Sequence, residues 1–498
     1  MKNKYCYFLL GLIFVLTLSS RLYFAFKNPN FTPDAYFTLR NVEHITKNFL
    51  PLKNDELSYG GRITIYPPLY FYMLSFFDII LPINLVSKIL PNLFASTLVI
   101  IVYLISFEIT KNNHASLLTS LLSAFIPIFY SKTIFNVSIY TFILPLMFLS
   151  LYFFLKINDN PKSVIPFLFM VGLLRYTHPT VILLVMALLF YLLIVYAENL
   201  KQSRPELEVI LFVTFVVIWS LFISYKKAFL LHGSLVVWQN IPQKILLEYF
   251  SDITLFDAIY QIGIIPIIFG IFIIYKYIFK EKNRSLYLLI SFVVPLFFLL
   301  WFKLIELTVG LMFLGVILIL LFAQFYKIFF LYIMKTRISK FTWLLNIILL
   351  IAIFFTSIVP SFYFAQHESS DIMTENEIDA LVWLRENTNK DDVILANVDE
   401  GYLISYFANR KNVADTNFLL IEDTDQRYND IETIYKTSLQ TEAVKLLNKY
   451  DVDYIYFSER TKKQFDIEKL NFLGDSCFEE VYIYEPKIFK SRCILAEI

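Results

Sequence analysis

Long apolar runs separated by short polar connections fill the chain as far as Phe362, and there the pattern stops. A helix needs about 20 apolar residues to cross roughly 30 Å of hydrocarbon. Runs of that kind extend from Tyr5 to Phe26, Lys88 to Thr110, His114 to Tyr130, Ser138 to Lys156, Val164 to Tyr176 and Pro179 to Tyr196. They continue from Val209 to Tyr225, Asp257 to Tyr275, Ser285 to Trp301, Leu307 to Phe325 and Phe341 to Phe362. The pattern predicts a polytopic α-helical membrane protein with about 11 transmembrane helices. Tyr66 to Leu81 is apolar but short, opens with Pro67-Pro68 and carries Asp78, which fits an interfacial or re-entrant helix better than a crossing.

Composition agrees with a membrane chain: of 498 residues 57% are hydrophobic, with 52 Phe and 33 Tyr against 11 Gly. The net charge of +1 gives no reason to expect a nucleic-acid partner. Met1-Lys2-Asn3-Lys4 precedes the first run, and no small-residue cleavage site follows it, so an uncleaved anchor with a cytoplasmic N-terminus is expected. Basic residues then mark three connections as cytoplasmic: Lys201 with Arg204, Lys276 to Arg284, and Lys335 to Lys340. That assignment keeps Tyr66 to Leu81 on the outer surface. It puts the first loop (27–87), the Ser131 to Ser138 loop, the Arg175 to Pro179 turn and the Lys226 to Asp252 segment on the same side.

Charged residues become dense after Phe362, so the expected division is a membrane domain over 1–365 and an extracytoplasmic α/β domain over 366–498. Thr374-Glu-Asn-Glu377 reads as a capping box that opens an amphipathic helix. Val393 to Ala396 and Tyr454 to Phe457 suit buried strands, and Thr441 to Tyr450 suits a helix. Cys477 and Cys493 fall in this domain, where a disulfide is permitted and not required. The chain has no C-x-x-C, H-E-x-x-H, glycine-rich phosphate loop or G-x-S-x-G, so metalloprotease, nucleotide-driven and serine-hydrolase chemistry lack support.

Two polar landmarks stand out in the first loop: Phe31-Thr-Pro-Asp34-Ala-Tyr36 and Gly61-Arg62-Ile-Thr-Ile-Tyr66-Pro-Pro-Leu69. With Lys88-Ile-Leu-Pro91-Asn-Leu-Phe-Ala, His114 to Pro127 and Thr177-His178-Pro179 they follow an order that resembles the GT-C superfamily of membrane glycosyltransferases. That group includes protein O-mannosyltransferases, aminoarabinose transferases and the catalytic subunit of oligosaccharyltransferase. Ala380-Leu-Val-Trp383-Leu-Arg385 and Val452-Asp453-Tyr454 are similar to the outer domain of archaeal oligosaccharyltransferases.

The resemblance implies transfer of a sugar from a polyprenyl (dolichyl)-phosphate donor to a protein or glycan acceptor outside the cytoplasm. Asp34 then occupies the position of the family's first-loop acid, a base toward the acceptor or a metal ligand; capping of the helix that starts near Ala35 is an equally simple role. Arg62, Tyr66, Lys132, Arg175 and His178 become candidate donor contacts, against the plain alternative that Lys and Arg at helix ends reach for headgroups. The sequence departs from oligosaccharyltransferases in two places: Ser131 to Ser138 contains no carboxylate, and Asn397-Val-Asp399-Glu400-Gly401 stands where a Trp-Trp-Asp motif would fall. A lone carboxylate is a poor Mg²⁺ site, so no metal ligand and no cofactor is expected. A non-catalytic relative and a lipid or solute transporter remain the alternatives.

Overall fold

The computed structural model describes residues 3–251, 253–474 and 477–494. The chain divides into two units. One is built from Met1–Pro29, Tyr66–Ser224 and Tyr249–Ser370; the other from Asn30–Ile65, Tyr225–Glu248 and Asp371–Ile498.

The first unit is helical and carries most of the apolar helices of a multi-pass membrane protein. Among the described residues, six stretches are long and apolar enough to cross a membrane: Lys4–Lys27, Ile83–Thr110, Arg204–Phe250, Arg284–Trp301, Leu307–Met334 and Ser339–Asn387. Two bent pairs, Asn113–Ala124 with Pro127–Ile134 (43°) and Leu255–Ile262 with Ile264–Phe279 (93°), raise the number to 8 if each is one crossing. Pro127 opens the helix after the first bend, where its missing N–H costs nothing. At the sharper bend Gly263 has φ 109, a conformation that a residue with a Cβ resists.

The shortfall from eleven lies in Tyr140–Leu155, Val164–Thr177 and Val181–Ala197, of 16, 14 and 17 residues. At about 1.5 Å per residue they reach roughly 21–26 Å, less than the hydrocarbon thickness. They are core pieces all the same, with Phe148, Phe154, Phe167 and Leu184 fully buried. Leu69–Asp78 has only 10 residues and packs on Ile83–Thr110 and Val164–Thr177 without crossing anything. Arg21, buried in the first helix, donates to Asn92 Oδ1 (2.9 Å) and Thr133 Oγ1 (2.6 Å).

The second unit carries the sheets. A small antiparallel hairpin joins β1 (Asn54–Asp55) to β2 (Arg62–Ile63). The main sheet contains β3 (Val393–Leu395), β4 (Lys411–Asn412), β5 (Val452–Phe457), β6 (Phe478–Tyr482) and β7 (Lys487–Ser491) in the order β4-β3-β5-β7-β6. β3 pairs in parallel with β4 and β5, and the β5-β7-β6 side is antiparallel. β5 is central and buries Val452, Tyr454, Ile455, Tyr456 and Phe457, a nearly continuous apolar run as a strand covered on both faces requires. The helix Glu375–Asn387 opens on the Thr374–Glu377 capping box, and Cys477 and Cys493 form a disulfide.

First-loop residues belong to this unit: the Met373 N–H donates to Phe31 O, and the Asn412 N–H donates to Leu57 O. The segment after Tyr225 continues as helix to His232, then a short 3-10 stretch Gly233–Trp238, then the helix Gln243–Ser251. Asn240 Nδ2 fastens it to Phe418 O and Ile421 O. Asp252 lies outside the described residues.

Candidate functional site

Pro33 and Asp34 turn the chain into the helix Ala35–Asn48, with the Ala35 and Tyr36 N–H groups donating to Thr32 O and Pro33 O. One stripe of this helix is buried: Ala35, Tyr36, Leu39, Val42 and Ile45. Tyr36 packs against Tyr406 and Phe407 with ring centroids 5.1 and 4.7 Å away, and Phe37 meets Tyr402 at 5.0 Å. Arg40 makes a bidentate pair with Asp55 at 2.7 and 2.6 Å, tying the helix to the hairpin. Asp34 therefore stands on a fixed helix start while its own side chain stays exposed. It makes no capping hydrogen bond to that helix, so the simple capping role is not the one observed.

In the same unit Asp399 lies within electrostatic reach of Asp34, and Glu248 within reach of Asp399. Asp399 sits in the single turn Val398–Glu400 just after β3. Gly401 fixes this turn: a Cβ there would come within 2.1 Å of Ala414 O, so only glycine allows the approach. Crowding by protein, then the negative charges of Asp34 and Glu248, push the Asp399 carboxyl up to about 7, with Arg460 opposing. Asp399 nevertheless keeps an exposed surface. Glu248, on the helix Gln243–Ser251, accepts a hydrogen bond from the Tyr428 hydroxyl at 3.4 Å. Arg460 is held by Glu377 at 3.1 Å and by Asp371 O at 2.9 Å. Next to Asp399, Glu400 is buried, accepts from Thr461 Oγ1 at 3.0 Å, and is raised to about 7, chiefly by burial.

Sequence reasoning treated the first-loop acid as solitary. Asp399 was visible as the acid of Asn397-Val-Asp399-Glu400-Gly401, but nothing local connects it to Asp34; Glu248 carries no sequence signal at all. Among the described residues no group of three His, Cys, Asp or Glu side chains stands close enough to hold a metal ion.

The remaining candidates fall in two places. Arg62 shares the unit of Asp34, where its guanidinium pairs with Asp415 at 3.0 Å and donates to Asn417 O; both partners of the ion pair are buried. Tyr66, Lys132, Arg175 and His178 belong to the helical unit. There Tyr66 meets Phe71 edge-on at 5.4 Å, and Lys132 pairs with Glu368 at 2.8 Å while keeping 41% of its side chain exposed. Arg175 is buried against the helix Arg204–His232, donating to Ser220 Oγ and Ser220 O at 2.6 Å and to Ser224 Oγ. His178 Nδ1 lies 3.2 Å from Thr180 Oγ1, with its ring 5.5 Å from that of Tyr140.

Residues 66–222 match a family model described as dolichyl-phosphate-mannose-protein mannosyltransferase. No curated protein matches the chain. Among solved structures it is similar to the apo oligosaccharyltransferase of Archaeoglobus fulgidus, with a TM-score of 0.70 and 15% identity over 90% of this chain and 69% of that one. The archaeal oligosaccharyltransferase AglB from the same organism, in complex with an inhibitory peptide and a dolichol-phosphate, gives 0.67 and 14% over 89% and 69%. ArnT from Cupriavidus metallidurans, bound to undecaprenyl phosphate, gives 0.56 and 10% over 99% and 98%. At such identities the likeness is one of fold: the chain has the fold shared by these GT-C membrane glycosyltransferases.

Proposed function

We propose that this chain is a membrane glycosyltransferase that moves a sugar from a polyprenyl-phosphate carrier to an extracytoplasmic acceptor, with Asp34 as the base. The fold supports the reaction class, and the observation that carries the assignment is Asp34 set on an anchored helix start within electrostatic reach of Asp399. In the reaction an acceptor O–H or N–H attacks the anomeric carbon. The bond from that carbon to the carrier phosphate breaks, its electron pair stays on the phosphate oxygen, and the acceptor proton passes to Asp34. The phosphate is a good leaving group, so positioning and charge do most of the work. Asp399 and Glu248 contribute negative field that favours the positive charge developing on sugar and acceptor.

In the helical unit, Lys132, Arg175 and His178 with Tyr66 are the proposed contacts of the carrier, and Lys132 has the most accessible charge of the three. Arg62 is better used holding Asp415. The proposed topology has a cytoplasmic N-terminus and the sheet-bearing unit outside, as the basic connections indicate. Asp34→Asn tests the proposal in isolated membranes supplied with a radiolabelled polyprenyl-phosphate sugar. Loss of a base predicts a fall of about 10²–10⁴-fold with unchanged insertion and protease resistance. Full activity in that variant ends the assignment.

A further inference from the structure

A cleft of about 680 Å³ in the sheet-bearing unit has none of Asp34, Asp399 and Glu248 in its lining; Arg62, Lys227 and Arg427 line it together with Glu422, Asp423 and Leu230. Tyr59 and Gly61, also in the lining, belong to a tightly constrained turn. Tyr59, Gly60 and Gly61 have φ of 54°, 75° and 126°, and for tyrosine that conformation costs energy which surrounding contacts must offset. They do so here: the Tyr59 N–H donates to Asn412 Oδ1 at 2.8 Å and its hydroxyl to Asp415 O at 2.5 Å. The turn delivers Arg62 to one face of the Tyr59 ring, 4.8 Å from its centroid, while Arg427 covers the ring at 5.3 Å.

These two arginines are incompletely used. Nε of Arg62 and Nε of Arg427 are both buried and find no acceptor among the described residues, which leaves donors whose desolvation nothing offsets. Arg427 donates to Val413 O at 2.9 Å and stacks on Tyr450 at 4.8 Å. Among the described residues, no carboxylate lies within ion-pair distance of Arg427 or Lys227. Guanidinium forks match oxyanions of carboxylate or phosphate geometry. Glu422 and Asp423 line the same cleft, and they would repel a ligand that is anionic all over but accept hydrogen bonds from hydroxyl groups.

We propose that this cleft binds an acidic sugar, with its oxyanion on Arg427 and Lys227 and its hydroxyls on Glu422 and Asp423. The inference rests on the glycosyltransferase reading for its meaning: the glycan handled by the enzyme, on the acceptor or the donor, carries a carboxylate or phosphate. A cleft of this size falls within the range of small-ligand sites and takes one or a few rings. An acidic peptide meets the two carboxylates unfavourably and is the disfavoured occupant.

The test is calorimetric titration of the full-length protein in lipid nanodiscs with methyl glucuronoside, glucose 6-phosphate, methyl glucoside, inorganic phosphate and an acidic peptide. Binding of the uronoside or the sugar phosphate at least tenfold tighter than the neutral glycoside, the peptide and inorganic phosphate is the expected result, and the tighter of the two acids identifies the oxyanion. Arg427→Gln should weaken the acidic sugar at least tenfold, and Lys227→Gln, an exposed position, should weaken it measurably even if the arginine variant does not fold. Equal binding of acidic and neutral sugars, preference for the peptide or inorganic phosphate, no binding at millimolar ligand, or wild-type affinity in a folded Arg427→Gln protein would overturn the proposal. Binding is read without turnover, so an active Asp34→Asn enzyme would sink the catalytic assignment and leave this result standing.

Discussion

Glu400→Gln gives the cleanest measurement of a buried charge in this protein. Glu400 is fully buried, its Oε2 accepts from Thr461, and its Oε1 has no partner among the described residues. Burial raises its carboxyl from 4.5 to about 7, against the opposing pull of Ser458, Arg460 and Thr461. Below pH 4.5 both folded and unfolded chains hold the proton. As pH rises toward 7 the unfolded chain releases it while the folded chain keeps it, so stability falls; above 7 this group adds no further slope. With 1.36 kcal/mol per tenfold change in proton affinity, the loss across that window is on the order of 3 kcal/mol. Glutamine copies the protonated acid, including the unpartnered second atom, and cannot ionise. The variant should therefore match wild type at pH 4.5 and exceed it at pH 8 by on the order of 3 kcal/mol, or roughly 5–10 °C in melting temperature. Differential scanning fluorimetry of both detergent-purified proteins across that range reads the difference, which cancels every other titrating group. Parallel curves for the two proteins, or a variant less stable at pH 8, would refute the reasoning.

Asp399 gives the kinetic counterpart: as pH rises, its charge appears between the ordinary 3.8 and about 7, water screening at its exposed surface setting the midpoint. Transfer should rise through that interval, and Asp399→Asn should remove the rise in a pH–rate profile. Arg62→Met leaves Asp415 buried and uncompensated and should cost about 3–5 kcal/mol, seen as faster proteolysis of the sheet-bearing unit and recovered in large part by adding Asp415→Asn. Removing the Cys477–Cys493 link, with its 16-residue separation, should lower stability by about 3 kcal/mol and speed hydrogen exchange in β6 and β7.

What could be read in the chain was whatever is local. The Thr374–Glu377 cap, the apolar run that becomes β5 and the Pro33-Asp34 helix start each depend on neighbours a few residues away. Crossing number was harder: Val181–Ala197 is as apolar as a spanning helix, and only its length of 17 residues separates the two. The charge clusters were out of reach for a different reason. Lys132 finds Glu368 across 236 residues and Arg62 finds Asp415 across 353, and no spacing rule links such positions. Asp399 could be singled out only through Gly401, whose missing Cβ matters because Ala414 lies against it.

The sheet-bearing unit is threaded from three distant stretches, and that has a consequence for synthesis. Asn30 reaches Met373 across 343 positions, and Glu43 receives the Tyr406 hydroxyl across 363. At ordinary ribosome speeds of about 5–20 residues per second, roughly 20–70 s separate the emergence of these partners. Until the late segment arrives, the early helix is braced only by its own hairpin, through Arg40 and Asp55. A ribosome that stalls midway therefore leaves a nascent chain that holds the proposed base without the scaffold to aim it.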